Sequence, residues 1–466
     1  MLFNSLHFLF FLPLVVALYY LLAPRFRWPL IFIASCYFYM AFVPSYILIL
    51  FFVILVDYFS GIFIEASKGT KRKLYLIISL LSNILLLAFF KYFAFLNTNL
   101  KDLLALFGTD FKPFHLDVIL PIGLSFHTFQ SMSYTIEVYR GTQKAERHIG
   151  YFANYVLFFP QMVAGPIERY DRLGNELRKE QSLRYKNLSE GFRMVLFGLF
   201  IKMVIADNIA PLVNLVYKNP LEHARTEVLA AVFMFSFQIY ADFFGYSTIA
   251  IGSAKLLGIS IMDNFKSPYL STSITEFWNK WHISLSTWFR DYLYIPLGGN
   301  RVSAVRWAFN TMVVFLISGL WHGASWTFVL WGALHGGMIL LERIVKPMGE
   351  KLKTSTRLRP LLIAKTFVIT SFIWVFFRAE SFEKAKQIFQ IIIHGNAKGQ
   401  HDAGLRVAFF AALVLFSVDL WLQGGRFDMA LRKLSFWQRW SIYAVLVFSI
   451  MAFAGAKKFS FIYFQF

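Results

Sequence analysis

Two histidines stand where this chain is best placed to do chemistry, His282 and His322. His322 lies in Gly319-Leu-Trp-His-Gly323, between an apolar stretch from Val305 to Leu320 and another from Trp326 to Leu341. Two adjoining hydrophobic segments joined through a histidine put an ionisable group in or at the edge of a membrane. Such groups are costly there and mark function by default. An imidazole takes a proton from a hydroxyl near neutral pH because its ordinary pKa lies there, and burial favours the neutral, proton-accepting form. A histidine at a membrane edge also serves as an interfacial anchor or a helix-to-helix hydrogen-bond donor, and spacing alone leaves both readings open.

His282 sits in the run from Ser273 to Asn300. Ser273 followed by Glu276 is a capping-box pattern that starts a helix. Trp278, Trp281, Leu285, Trp288, Phe289 and Tyr292 recur at three- and four-residue spacing, which predicts one continuous helix with an aromatic stripe. Pro296 and Gly298-Gly299 close it. The helix is too polar to span a bilayer and reads as an amphipathic element at the interface or dipping inward. The stripe is read as packing before a cofactor box.

These stretches are carried by a membrane protein. Of 466 residues 58% are hydrophobic, including 55 Phe, 22 Tyr and 12 Trp, and only 15% are charged. Soluble domains carry nearer a quarter. Hydrophobic segments are expected at 5–23, 28–41, 45–65, 74–96, 115–138, 149–164, 188–216, 226–257, 305–321, 325–345, 360–378, 404–423 and 439–455. The fold class is therefore all-α and polytopic, as one integral-membrane domain over 1–466 with no separate soluble part. The short segment 149–164 contains Pro160, precedes Gly165-Pro166, and is expected to be re-entrant. Residues Leu6 to Leu22 lack a basic leader and a small-residue cleavage site, so they read as a retained first helix. Cys36 is the one cysteine, which rules out an intrachain disulfide, and its apolar surroundings disfavour a thiol nucleophile.

A formal charge of +20 raises the question of nucleic acid. The basic residues instead cluster in alternate loops, such as Lys68 to Lys73, Arg169 to Lys186, and Lys346 to Arg359, which is the positive-inside pattern. If 149–164 does not cross, both termini lie outside and 258–304 lies on the cytoplasmic side. His282 is then approached from the cytoplasm and the His322 turn from outside, so that a donor on one side could meet an acceptor on the other.

Further polar residues fall inside apolar segments: Gln130, Ser131, Glu137, Lys202, Asp207 and Asp242. Charged groups at such depth pair with each other or line a wet cavity, and a structural ion pair is favoured over direct chemistry. The histidines His127, His282, His322 and His335 lack a carboxylate or cysteine at ligand spacing, so no metal site is expected. A Gly-Xaa-Ser-Xaa-Gly elbow and a phosphate-binding Gly-Lys-Ser/Thr loop are absent from the sequence.

The run Trp281-His-Ile-Ser-Leu-Ser-Thr-Trp-Phe-Arg-Asp-Tyr-Leu-Tyr-Ile-Pro-Leu-Gly-Gly-Asn-Arg301, followed by Gly319-Leu-Trp-His-Gly-Ala324, resembles the membrane-bound O-acyltransferase family. More narrowly it is similar to the bacterial branch that O-acetylates alginate and peptidoglycan. Pro121 to Gly141, Phe158 to Ile167, Gln238 to Ser247 and the C-terminal Phe461 to Phe466 match as well. Thr248 stands where a second acidic residue is common and Phe244 where serine is common, so Thr248 is given no role. The resemblance implies a ring of about 11–13 transmembrane helices around a central funnel, with a catalytic region at about 230–345. It implies acetyl transfer from cytoplasmic acetyl-CoA, with no permanently bound cofactor, toward an extracytoplasmic polysaccharide such as alginate or peptidoglycan. His322 would be the base and His282 would orient the donor or stabilise charge. Trp281, Ser286, Arg290, Asp291, Trp321, Asp242 and Gln130 are the candidate substrate-binding residues. A separate extracytoplasmic transferase with a serine nucleophile is the implied partner, and the bacterial inner membrane the implied location. D-alanyl transfer to teichoic acid is the alternative within the family. A transporter or flippase without acyl chemistry is the alternative outside it, and no inverted repeat favours it.

Overall fold

The computed structural model describes residues 1–114, 120–163, 165–353, 357–395, 403–453 and 461–462. The start of the segment expected at 115–138 and the C-terminal match at 463–466 lie outside the described residues, as do the side chains of Lys346, Lys351 and Lys353. Among the described residues the regular structure is helical throughout, and nine helical runs are long and apolar enough to cross a membrane. The protein is a multi-pass membrane protein. Most spans fall on the hydrophobic segments expected from the sequence, and the 16-residue helix Leu6–Leu21 is apolar but shorter. The described chain packs as two compact units.

The first unit comprises Met1–Leu188, Ser253–Ile261 and Gly323–Ser325. Its helices are α1 (Leu6–Leu21), α2 (Arg27–Met40), α3 (Ile47–Ala66), α4 (Gly69–Leu87), α5 (Phe93–Ala105), α6 (Leu124–Arg140), α7 (Ile149–Leu157) and α8 (Tyr170–Arg178). A π turn at Ala88–Tyr92 carries α4 on into α5, so the loop expected from 97 starts as helix. The buried carboxylate of Asp57 on α3 ties three helices together. It accepts from Ser79 (2.6 Å) and Asn83 (2.9 Å) on α4 and from Ser131 on α6. A carboxylate removed from water is tolerated only with donors of this kind.

The expected re-entrant segment forms α7, nine residues long. At 1.5 Å per residue it covers about 14 Å, too little to cross a ~30 Å hydrocarbon core. Its end is buried, so its carbonyls need partners. Side chains of α6 supply them: His127 Nδ1 meets the Val156 carbonyl at 2.9 Å, and Gln130 Nε2 donates to that of Tyr155. Gln161 Nε2 donates to Tyr155 as well, at 2.9 Å, and Ser35 Oγ accepts the Phe159 N–H at 3.1 Å.

The second unit comprises Ser189–Gly252, Met262–His322 and Trp326–Phe466. Its helices are α9 (Tyr185–Phe200, entering from the first unit), α10 (Asp207–Lys218), α11 (Arg225–Leu256), α12 (Ile274–Lys280), α13 (Ile283–Phe289), α14 (Ala304–His322), α15 (Trp326–Lys353), α16 (Arg359–Arg378), α17 (Phe382–His394), α18 (Ala403–Leu422), α19 (Phe427–Arg432) and α20 (Phe436–Phe453). Helix α17 lies in what reads as a loop, capped by Ser381, whose hydroxyl accepts the Lys384 N–H. Helices α14 and α15 form a hairpin with touching backbones. A Cβ on Gly319 would run into the Phe328 carbonyl, and one on Gly332 into the Phe315 carbonyl. Only glycine permits this approach, and it seats His322, the last residue of α14, against α15.

Candidate active site

The helix expected from Ser273 to Tyr292 is broken in the structure. It starts as predicted, with Ser273 Oγ accepting the Glu276 N–H at 3.1 Å, while the Glu276 carboxylate reaches back to Thr272. It ends at Lys280 and restarts at Ile283. Between them His282 takes the left-handed conformation, φ 44° and ψ 54°. The break is possible because the irregular segment at Asn264–Lys266 takes up the freed backbone groups. The Lys266 N–H donates to the Lys280 carbonyl (3.1 Å), and the Ile283 N–H to the Asn264 carbonyl (3.0 Å). The Ser284 N–H donates to Asn264 Oδ1 (3.3 Å). A left-handed non-glycine residue costs about 1–3 kcal/mol and is held only where its surroundings dictate it, which happens most at functional sites. Periodicity could not reveal the break, since its cause lies in a segment distant along the face of the helix.

The turn aims the His282 ring into the unit. Its ring lies edge-on to Phe243 (4.6 Å between centroids) and faces Trp321 at 6.2 Å. Trp321 in turn meets His322 at 4.9 Å. His322 is ringed further by Trp331 (5.0 Å) and Phe377 (5.2 Å). The two histidines are thus brought against one indole. Both are buried. Burial drives the His282 imidazole down to about 3, so it is neutral at physiological pH.

Beside this core lies a cavity of about 1150 Å³, walled by α12, α13, the π turn Arg290–Tyr294, α14 and α15. Its lining includes Trp278, Ile283, Ser286, Arg290, Ser318 and Glu342. Neither histidine is on that lining; Ile283 follows His282 and Ser318 lies one turn before His322. The lining also carries two exposed cations, Arg290, paired with Asp291 at 2.8 Å, and Arg343, whose guanidinium stacks on Trp307 at 4.0 Å. Such a site combines apolar walls with a few polar and cationic groups, the composition common to small-molecule sites.

The other sequence candidates separate. Ser286 is on the wall, its hydroxyl donating to the Trp281 carbonyl at 3.2 Å. Trp281 is packed behind it on Phe265 and Trp374, each 5.1 Å away. Asp242 faces the opposite way from its neighbour Phe243. It pairs with the buried Lys202 at 2.6 Å and accepts the Ile462 N–H at 2.6 Å, while Lys202 also holds Asp207 at 2.7 Å. This is the ion-pair arrangement favoured from the sequence. Gln130 belongs to the first unit, on α6, where its side chain donates to the Tyr155 carbonyl of α7. Among the described residues no group of three or more His, Cys, Asp or Glu is arranged to hold a metal ion. Sequence reasoning passed over Glu342, the Trp278–His335 contact, and the Asn264–Lys266 segment. The first two carry a signal, because His335 and Glu342 lie two turns apart on one face of α15; the last carries none.

The pattern of the membrane-bound O-acyltransferase family matches residues 74–379, a stretch that includes both histidines and every cavity-lining residue named above. The chain belongs to this family. It is an acyltransferase, which displaces the transport reading. The chain is 38% identical over 396 residues to the probable alginate O-acetylase AlgI of Pseudomonas aeruginosa, covering 84% of this chain and 74% of that protein. It is 34% identical over 430 residues to the peptidoglycan O-acetyltransferase of Helicobacter pylori, covering 85% and 80%. A teichoic acid D-alanyltransferase of Streptococcus thermophilus is 30% identical over 244 residues, covering 47% of this chain and 56% of that protein.

Proposed function

We propose that this acyltransferase moves an acetyl group from acetyl-CoA on the cytoplasmic side to a hydroxyl destined for an extracytoplasmic polysaccharide. The observation that carries the reading is the pair of buried histidines that both meet Trp321, next to a cavity lined by Arg290 and Arg343. The two long-range relatives are named for O-acetylation of alginate and of peptidoglycan, and each aligns over more than four fifths of this chain.

In this reading the acceptor hydroxyl gives its proton to His322 as its oxygen attacks the thioester carbonyl. The carbon–sulfur bond breaks, the new carbon–oxygen bond forms, and the proton passes from His322 to the departing thiolate. General base catalysis of this kind contributes about 10²–10⁴-fold. His282 stays neutral and orients the donor carbonyl. Arg290 and Arg343 attract the donor's phosphates. The clustering of basic residues in alternate loops supports a cytoplasmic side for the cavity and an outer side for both termini, in a bacterial inner membrane. A separate extracytoplasmic transferase with a serine nucleophile completes the transfer to polymer. The partial likeness to a D-alanyltransferase supports a second reading, D-alanyl transfer from a carrier protein.

The test is alkali-releasable acetate in the cell-envelope polysaccharide fraction, compared among wild type, His322→Ala and a deletion, with membrane levels matched. Equal loss in variant and deletion supports both the reaction and the base. Loss in the deletion alone refutes the role of His322. Unchanged acetate in both rejects acetylation, and teichoic-acid D-alanine is then measured.

A further inference from the structure

Helix α12 has seven residues, too few to hold a helical shape or a direction by itself. Yet it delivers the chain into the strained His282 turn. Its orientation has to come from outside, and α15 supplies it at two points. Near the end of the face, the Glu342 carboxylate accepts the Ile274 N–H (2.5 Å), the Thr275 N–H (3.0 Å) and the Thr275 hydroxyl (2.8 Å). Two turns earlier, His335 Nδ1 accepts from the indole N–H of Trp278 at 3.4 Å, with the rings edge to face at 5.0 Å. On the same helix Gly332 seats α14, and with it His322.

We infer that Glu342 is a positioning residue for this site: by clamping the first turn of α12 onto α15, it sets the His282 turn in register with His322. A carboxylate at the first turn of a helix satisfies amides that have no partner within the helix and is favoured by the helix dipole. Here it comes from the helix that also carries the contacts to His322, so both histidines are referred to one scaffold. Glu342 touches neither histidine in this arrangement and acts through α12. His335 is the second contact of the clamp, and its Nδ1 accepts only in the neutral tautomer protonated on Nε2.

The test uses the full-length chain in detergent, with Glu342→Ala and Glu342→Gln variants. Hydrogen–deuterium exchange is followed by mass spectrometry over residues 281–286, with α6 of the first unit as control. Loss of a charged acceptor in Glu342→Ala raises exchange at 281–286 on the order of tenfold. Glu342→Gln keeps one acceptor oxygen and raises it less, while α6 is unchanged. Unchanged exchange at 281–286 in Glu342→Ala overturns the inference. If that variant loosens α6 too, the Gln variant decides: a rise confined to 281–286 supports the clamp, and an equal rise in α6 overturns it. A kinetic arm rests on the proposed reaction: CoA release from acetyl-CoA loses more in kcat than it gains in KM, with partial rescue by Gln. If the wild type releases no CoA, the proposed reaction fails while the exchange result still judges the clamp.

Discussion

Replacing Gly332 by alanine adds one methyl group at the point where α14 and α15 touch. That carbon would overlap the Phe315 carbonyl, whose carbon lies 3.0 Å from its position, and it would also meet the Gly319 amide at 3.4 Å. These are backbone atoms of the neighbouring helix and cannot swing aside, so the helices must part by about 1 Å, and a misplacement of that size costs on the order of 100-fold in rate. Stability changes far less. Overpacking costs about 1–3 kcal/mol, and alanine returns about 1 kcal/mol over glycine in a helix. The variant therefore reaches the membrane at near-normal level but loses activity. Gly337 on the same helix is the control, because a Cβ there meets nothing within 4 Å. Both variants are assayed by CoA release from acetyl-CoA in matched membranes and by thermal unfolding. Gly332→Ala is expected near 1% of wild-type activity and Gly337→Ala near wild type. Gly332→Ala within twofold of wild type, or Gly337→Ala as damaged as Gly332→Ala, refutes the view that close α14–α15 contact seats His322.

Two other outcomes follow from the packing. His282 is held at about 3 when folded and returns to about 6.5 unfolded. Its folded pKa lies below its unfolded one, so the stability linked to it is intact above about pH 6.5 and is lost as pH falls toward 3, by about 1.4 kcal/mol per pH unit. Thermal unfolding from pH 7 to pH 5 should be shallower in His282→Gln than in wild type by about 2 kcal/mol of free-energy change; parallel curves refute the burial of an uncharged imidazole. Lys202→Met leaves Asp207 and Asp242 facing one another without their shared cation. The expected loss is about 3–5 kcal/mol, read as a lowered midpoint in detergent, and an unchanged midpoint refutes a structural role for the triad.

Much of this protein is legible in its sequence. Apolar runs of spanning length set the helices, because a backbone in hydrocarbon must satisfy its hydrogen bonds within each segment and helices do this locally. The Ser273 cap was legible for the same reason, its hydroxyl bonding an amide three residues on. The two histidines stood out because imidazole amid apolar and aromatic residues is costly unless used. What the residue pattern could not show depends on contacts far apart in the chain. The His282 turn exists because Asn264 and Lys266 take the backbone bonds that the stripe alone would have spent on a continuous helix. Asp242 and Phe243 are neighbours in sequence, yet a helix turns successive side chains by about 100°, so one meets Lys202 and the other His282. The face shared by His335 and Glu342 marks the carboxylate, but only the packing of α15 on α12 shows the amides it holds. Local hydrogen bonding and burial, which act within a few residues, decided the elements; the meeting of the two histidines at Trp321 was decided only where distant segments close on one another.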